Sequence, residues 1–169
     1  MVGDDLDWVL EQWRAERPDI DASPMGVVGR IQRASRMLER GLSDYFATHG
    51  LQLWEFDILG TLLRSGPPYE LTAGALSRAS MISSGAVTNR IDRLLGRGLI
   101  ARAPDPANRR SILIRLTDSG RELANTALEG HVDNEVRLLA SLGPDEQERL
   151  ADLLRTLLTG LGDLPPEGR

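Results

Sequence analysis

Over residues 71–117 the hydrophobic repeat changes twice, and no other feature of the chain constrains the fold as much. Residues 71–79 read as a short helix opening on a possible Thr72 cap. A turn at 80–82 leads to a second helix over about 83–96, which Gly98 helps to end. Residues 99–102 and 111–116 then take the pattern of β-strands. The link between them, PDPANRR (104–110), is rich in turn formers and tipped with positive charge. Two short helices, a turn and a two-stranded hairpin make the order of a winged helix-turn-helix.

Long helical patterns flank this unit. An amphipathic segment covers about 6–17 and stops at Pro18. Ser23 is a capping candidate, with Pro24 in the first turn of a helix over roughly 24–48 that Gly50 ends. Residues 53–64 form a third helix, apolar on more than one face and so expected to be buried. After the wing, one helix runs from 117 to about 142 and a last one from 144 to about 161. The expected fold class is mainly α with a small β-hairpin (α+β). Its three parts are N-terminal helices over 1–50, a winged lobe over 51–117 and C-terminal helices over 118–169. Leu128, Val132, Val136 and Leu139, then Leu150, Leu153, Leu154, Leu157 and Leu161, form apolar stripes that the winged lobe does not need. They read either as intramolecular core or as a face for a second copy.

The formal charge is −5, yet from Arg78 to Arg115 eight arginines face two acids, a local charge of +6. Charge placed near phosphates decides nucleic-acid affinity, and a distant acidic region limits nonspecific binding. Projected at 100° per residue, the second helix puts Val87, Ile91, Leu94 and Leu95 inward. Gly85, Ala86, Asn89, Asp92 and Arg93 fall on the far side. Asn89 and Arg93 can bond base edges bidentately. Ser83, Ser84 and Thr88 are expected base or phosphate contacts, and Arg109 and Arg110 at the hairpin tip reach phosphate or minor groove. Taken alone, the helix would equally suit a solvated charged face.

Arg90 projects about 80° from the centre of the apolar stripe, at the edge of the core. A half-buried guanidinium there needs an anion. Asp57, between Phe56 and Ile58 in the apolar third helix, has the matching need. The two read as a structural salt bridge, as separate solvent-facing groups, or as parts of a ligand site.

Several functions are excluded or disfavoured. With no cysteine there is no disulfide, thiolate zinc site or catalytic thiol. His49 and His131 share no ligand-like spacing, so neither a metal nor a cofactor is expected. The chain carries no phosphate-binding glycine loop and no nucleophile–base constellation, so it does not read as an enzyme. The acidic start lacks the marks of a signal peptide, and no apolar run could span a bilayer; a cytoplasmic location is expected, with no membrane partner.

The segment TAGALSRASMISSGAVTNRIDRLLGRGLIARAPDPANRRSILIRLTDSGREL (72–123) resembles the MarR family of bacterial regulators. That resemblance implies a homodimer of interlocked N- and C-terminal helices, whose two winged lobes read a pseudo-palindromic operator in double-stranded DNA. The family commonly carries an acid two positions before its key wing arginine; here Asn108 precedes Arg110. Further, EQWRAERPDIDASPMG (11–26), LWEFDILGTLLRSGPPYELT (53–72) and TNRIDRL (88–94) are similar to the urate-responsive MftR/HucR/PecS-like branch. This implies a ligand site of Trp13, Asp57 and Arg90, with Arg102 as a further charged partner and Trp8 as the competing tryptophan. The implied effector is urate or a related purine, aromatic acid or polycarboxylate. The expected function is a ligand-responsive repressor; a constitutive winged-helix regulator without an effector is the alternative.

Overall fold

The computed structural model describes residues 3–80, 84–106, 108 and 111–164, with residues 84–88 described as backbone alone. The order is α1 (Asp5–Glu16), α2 (Ser23–Thr48), α3 (Leu53–Arg64), β1 (Glu70–Thr72), α4 (Ala73–Ala79), α5 (Ser84–Gly96), β2 (Ile100–Pro104), β3 (Ile112–Leu116), α6 (Asp118–Leu138) and α7 (Pro144–Gly160).

Local signals set most of these boundaries. Asp4 caps α1, its carboxylate accepting from the Leu6 and Asp7 amides. Thr72 caps α4 by accepting from Ala75 N at 3.1 Å, and Thr117 caps α6 by accepting from Gly120 N at 3.0 Å. Gly50, at φ 66°, turns the chain out of α2 where a side chain would be strained. Ser23 is not a cap. It is the first helical residue, and Asp21 accepts from both its amide and its hydroxyl.

Residues 70–72 depart from expectation. The helix read from 71 begins at Ala73, and Glu70–Thr72 form a strand that pairs antiparallel with β3, Leu71 opposite Ile114. The wing is therefore part of a three-stranded sheet of order β1-β3-β2. Three residues are too few to show alternation, so pairing with β3 alone makes them a strand. β2 also runs two residues further than read, to Pro104 opposite Ile112. The last turn read for α6 is absent, and the helix ends at Leu138.

The core joins Phe46 of α2, Ile58, Leu59 and Leu62 of α3, Leu76 of α4, Ile91 and Leu94 of α5, and Ile114 of β3. Ala124 and Ala127 of α6 close it. At Gly120 a Cβ would lie 1.9 Å from the Leu99 carbonyl oxygen, so α6 docks on the start of β2 only because no side chain is there. α1 runs antiparallel to α2, with Leu6 resting on Gly29 and Leu10 on Gly26. Arg30 holds Asp4 at 2.8 Å and Asp7 at 2.7 Å, while Arg33 holds Asp5. The Arg30 guanidinium keeps the Asp4 carboxyl below the usual carboxylate range.

α7 buries none of its residues against its own chain. Leu153, Val132 and Val136 are each more than half exposed. None of the described helices is long and apolar enough to cross a membrane.

Candidate DNA interface and ligand cleft

α5 is placed by its apolar face, with Ile91 and Leu94 buried and Asn89, Asp92 and Arg93 exposed. That division matches the projection for every residue whose side chain is described. Ser83, Arg109 and Arg110 lie outside the described residues, as do the side chains of Ser84 and Thr88. The backbone leading to the wing tip is in place, with Asn108 N donating to Asp105 O and Ser111 N to Asn108 O.

The basic segment is less uniformly available than its sequence suggests. Arg97 pairs with Glu55 at 2.7 Å, Arg102 with Asp92 at 2.7 Å and Arg115 with Glu70 at 2.5 Å. The acids lie close in space, and two of the three are distant in sequence, so a local charge count misses them. The Glu55 pair is the most enclosed. Its carboxylate is buried, accepts from the Gln52 amide at 2.8 Å, and binds Arg97, whose other nitrogen donates to Gly50 O. This clamp fixes the C-terminal end of α5 on the α2–α3 junction. The spacing of Gln52 and Glu55 is that of a capping box, the signal that could have pointed to it.

Asp57 and Arg90 come together on one cleft of about 570 Å³. α2 supplies Glu39, Leu42, Ser43 and Ala47; the chain from Leu51 through α3 supplies Leu51, Gln52, Leu53, Trp54 and Asp57; α5 supplies Arg90. The Arg90 guanidinium lies 5.3 Å from the centroid of the Trp54 ring. A second cleft, about 560 Å³, shares Leu42, Leu53 and Asp57 with the first and reaches Phe46, Phe56, Arg64, Leu128, His131 and Glu135. His131 Nε2 is 3.4 Å from Glu135, and its ring packs against Phe46 and Phe56. His49 and His131 both meet the Tyr45 ring, a proximity their sequence separation hid.

Trp13 and Arg102 do not join this cleft. The antiparallel docking of α1 puts Trp13 level with the start of α2, roughly 20 residues and 30 Å from Leu42 along the helix. Trp8 is 63% exposed and Trp13 42%. Arg102 is turned to Asp92 on the outer surface. Within one chain the aromatic wall of the cleft is Trp54, which sequence reasoning overlooked although it stands three residues before Asp57.

Known proteins resemble this chain in sequence and fold. A sequence model of the MarR family matches residues 49–111. The HTH-type transcriptional regulator PecS of Dickeya dadantii (strain 3937) is 41% identical over 146 residues, covering 86% of this chain and 88% of that protein. Bordetella bronchiseptica BpsR, described by the mechanism for regulation of its DNA binding by 6-hydroxynicotinic acid, superposes with a TM-score of 0.70. It is 26% identical and covers 78% of this chain and 91% of its own. A MarR variant from E. coli complexed with operator DNA superposes with a TM-score of 0.74 at 23% identity, covering 81% and 96%. That last likeness bears on the fold alone.

Proposed function

The chain belongs to the MarR family of DNA-binding transcriptional regulators, and from that premise we propose that it is a homodimeric repressor released from a pseudo-palindromic operator by urate or a related small anion. The observation that carries this reading is the position of Arg90. It sits on the same helix as the outward-facing Asn89 and Arg93, yet lines the cleft with Asp57 and Trp54. A flat anion in that cleft meets the Arg90 guanidinium and the Trp54 aromatic wall, with the carboxylates of Glu39 and Asp57 on the same lining. Any ligand that binds better when α5 is displaced shifts the population away from the DNA-binding arrangement.

The dimer is supported by surface area. The chain exposes 12103 Å², against about 8,200 Å² for a compact monomer of this mass. Large apolar side chains stand exposed on α2, α6 and α7, including Val27, Val28, Val132 and Leu153. In this reading residues 1–50 and 118–169 make the dimer, and residues 51–117 read DNA. Asn89 and Arg93 contact base edges; Ser83, Ser84, Thr88, Arg109 and Arg110 contact bases, phosphates or the minor groove.

The test is an operator titration with DNA from beside the protein's own gene, with urate and 6-hydroxynicotinic acid as probes. Urate is expected to weaken operator binding at least about fivefold, within the usual span of allosteric coupling. Arg90→Gln is expected to lose the response to urate. If operator affinity and tryptophan emission both ignore urate, the effector assignment fails.

A further inference from the structure

Trp54 does more than wall the cleft. Its ring lies 5.3 Å from the guanidinium carbon of Arg90 and 5.0 Å from that of Arg93. Its indole N–H donates to the Gln52 side chain, which fixes the ring. Gln52 in turn gives its amide to Glu55, the carboxylate that holds Arg97. Arg90 and Arg93 of α5 and Arg97 just beyond its end are spaced i, i+3, i+7, so they form one stripe against the first turn of α3. Arg90 faces the cleft at one side of the ring, and Arg93 is exposed on the surface expected to meet DNA. Two cations one helical turn apart repel each other, and the electron-rich face of an indole is the best aromatic seat for either.

We infer that Trp54 is the positioning residue that couples cleft to DNA, a single seat for which Arg90 and Arg93 compete. With the cleft empty the two share the ring, Arg93 at 5.0 Å and Arg90 at 5.3 Å, so Arg93 is held only in part and can leave it for DNA. An anion that draws Arg90 into the cleft leaves the ring to Arg93, which is then withheld from a base or phosphate. This rests on the reading of the cleft as a ligand site. A cation–π contact at a half-exposed site is worth a factor of about two to five in an equilibrium, and that is the share of the response that passes through Trp54.

The decisive experiment needs no ligand. In the full-length protein, Arg90→Gln removes the competitor as an anion would. It is expected to raise the operator Kd two- to fivefold when Trp54 is present, and less than 1.5-fold in a Trp54→Leu background. Equal effects in both backgrounds overturn the inference. Trp54→Phe, a smaller change with a weaker seat, should give an intermediate value and serves if the leucine variant does not fold. Replacing Trp8 and Trp13 by Phe leaves Trp54 as the sole indole. Its emission should shift on adding operator, and an unchanged spectrum counts against the seat. Urate added to the otherwise unaltered protein is read separately: no response there refutes the effector, while the Arg90–Trp54 cycle still decides the coupling.

Discussion

Replacing Arg97 by alanine isolates what the clamp between α3 and α5 contributes. Glu55 is 3% exposed and Arg97 39% exposed, so the pair lies between a buried and a surface ion pair. Breaking a fully buried pair costs about 3–5 kcal/mol, because a charge is left without a partner. Exposed pairs contribute about 0–1 kcal/mol. Water can reach the place of the guanidinium here, and Glu55 keeps its bond from the Gln52 amide, so the expected loss is about 2 kcal/mol. For a chain of this size that lowers Tm by roughly 4–8 °C. The assay is thermal melting by circular dichroism at one fixed protein concentration, since the proposed dimer would make Tm depend on it. Adding Glu55→Gln to the same protein removes the buried charge and keeps an acceptor for the Gln52 amide. The double variant should therefore melt above Arg97→Ala alone. An Arg97→Ala protein that melts within 1 °C of the parent, or a double variant that melts below the single one, refutes the argument.

Three further outcomes follow from the same geometry. Gly120→Ala should cost at least about 3 kcal/mol, since the new methyl overlaps the Leu99 carbonyl, whereas Gly74→Ala, which meets nothing closer than 3.5 Å, should be nearly neutral; paired melting curves decide. The Asp4 carboxyl titrates lower in the folded chain than in the unfolded one, chiefly through Arg30. Its contribution is therefore complete above the ordinary carboxylate pKa and lost as pH falls through the depressed folded value. Docking of α1, read from Trp8 and Trp13 emission, should be flat from pH 6 to 8 and weaken below about pH 4, with Asp4→Asn abolishing that step. For DNA, Arg93→Gln should weaken operator binding by roughly tenfold or more, while Arg110→Ala should flatten the slope of log K against log salt by about 0.9. An unchanged salt slope would remove Arg110 from the phosphate contacts.

What could be read from sequence was whatever a single helix encodes by itself. The azimuth of each residue on α5 follows from 100° per step, so Asn89, Asp92 and Arg93 outside, Ile91 and Leu94 inside and Arg90 between were all legible. A cap was legible at Thr72, whose hydroxyl stands three residues before the amide it serves, while at Thr117 only the start of the helix was read. At Ser23 the same residue type misled, because Asp21 competes for its hydroxyl. β1 was not legible, since a three-residue strand exists by virtue of its partner.

The two tryptophans show where azimuth stops being enough. Trp13 stands on an exposed helix face and Trp54 at the start of a buried helix, and periodicity describes both correctly. What decides which one reaches Arg90 is axial level: where along α2 each neighbouring helix is docked. Gly26 and Gly29 admit Leu10 and Leu6, and Arg30 and Arg33 take the acids at the start of α1. Those contacts fix α1 at the N-terminal half of α2 and running away from the cleft. α3 follows α2 through the tight turn at Gly50, so its first residues must lie beside the C-terminal half of α2, where the cleft is. Short connections thus transmit position between helices more surely than composition does. The same reasoning says that Trp13 can act on this cleft only if a second copy of the chain brings it there. A Trp13→Phe protein that responds to urate as the parent does, while Trp54→Phe responds less, would place the aromatic function on α3 and leave α1 to the proposed dimer.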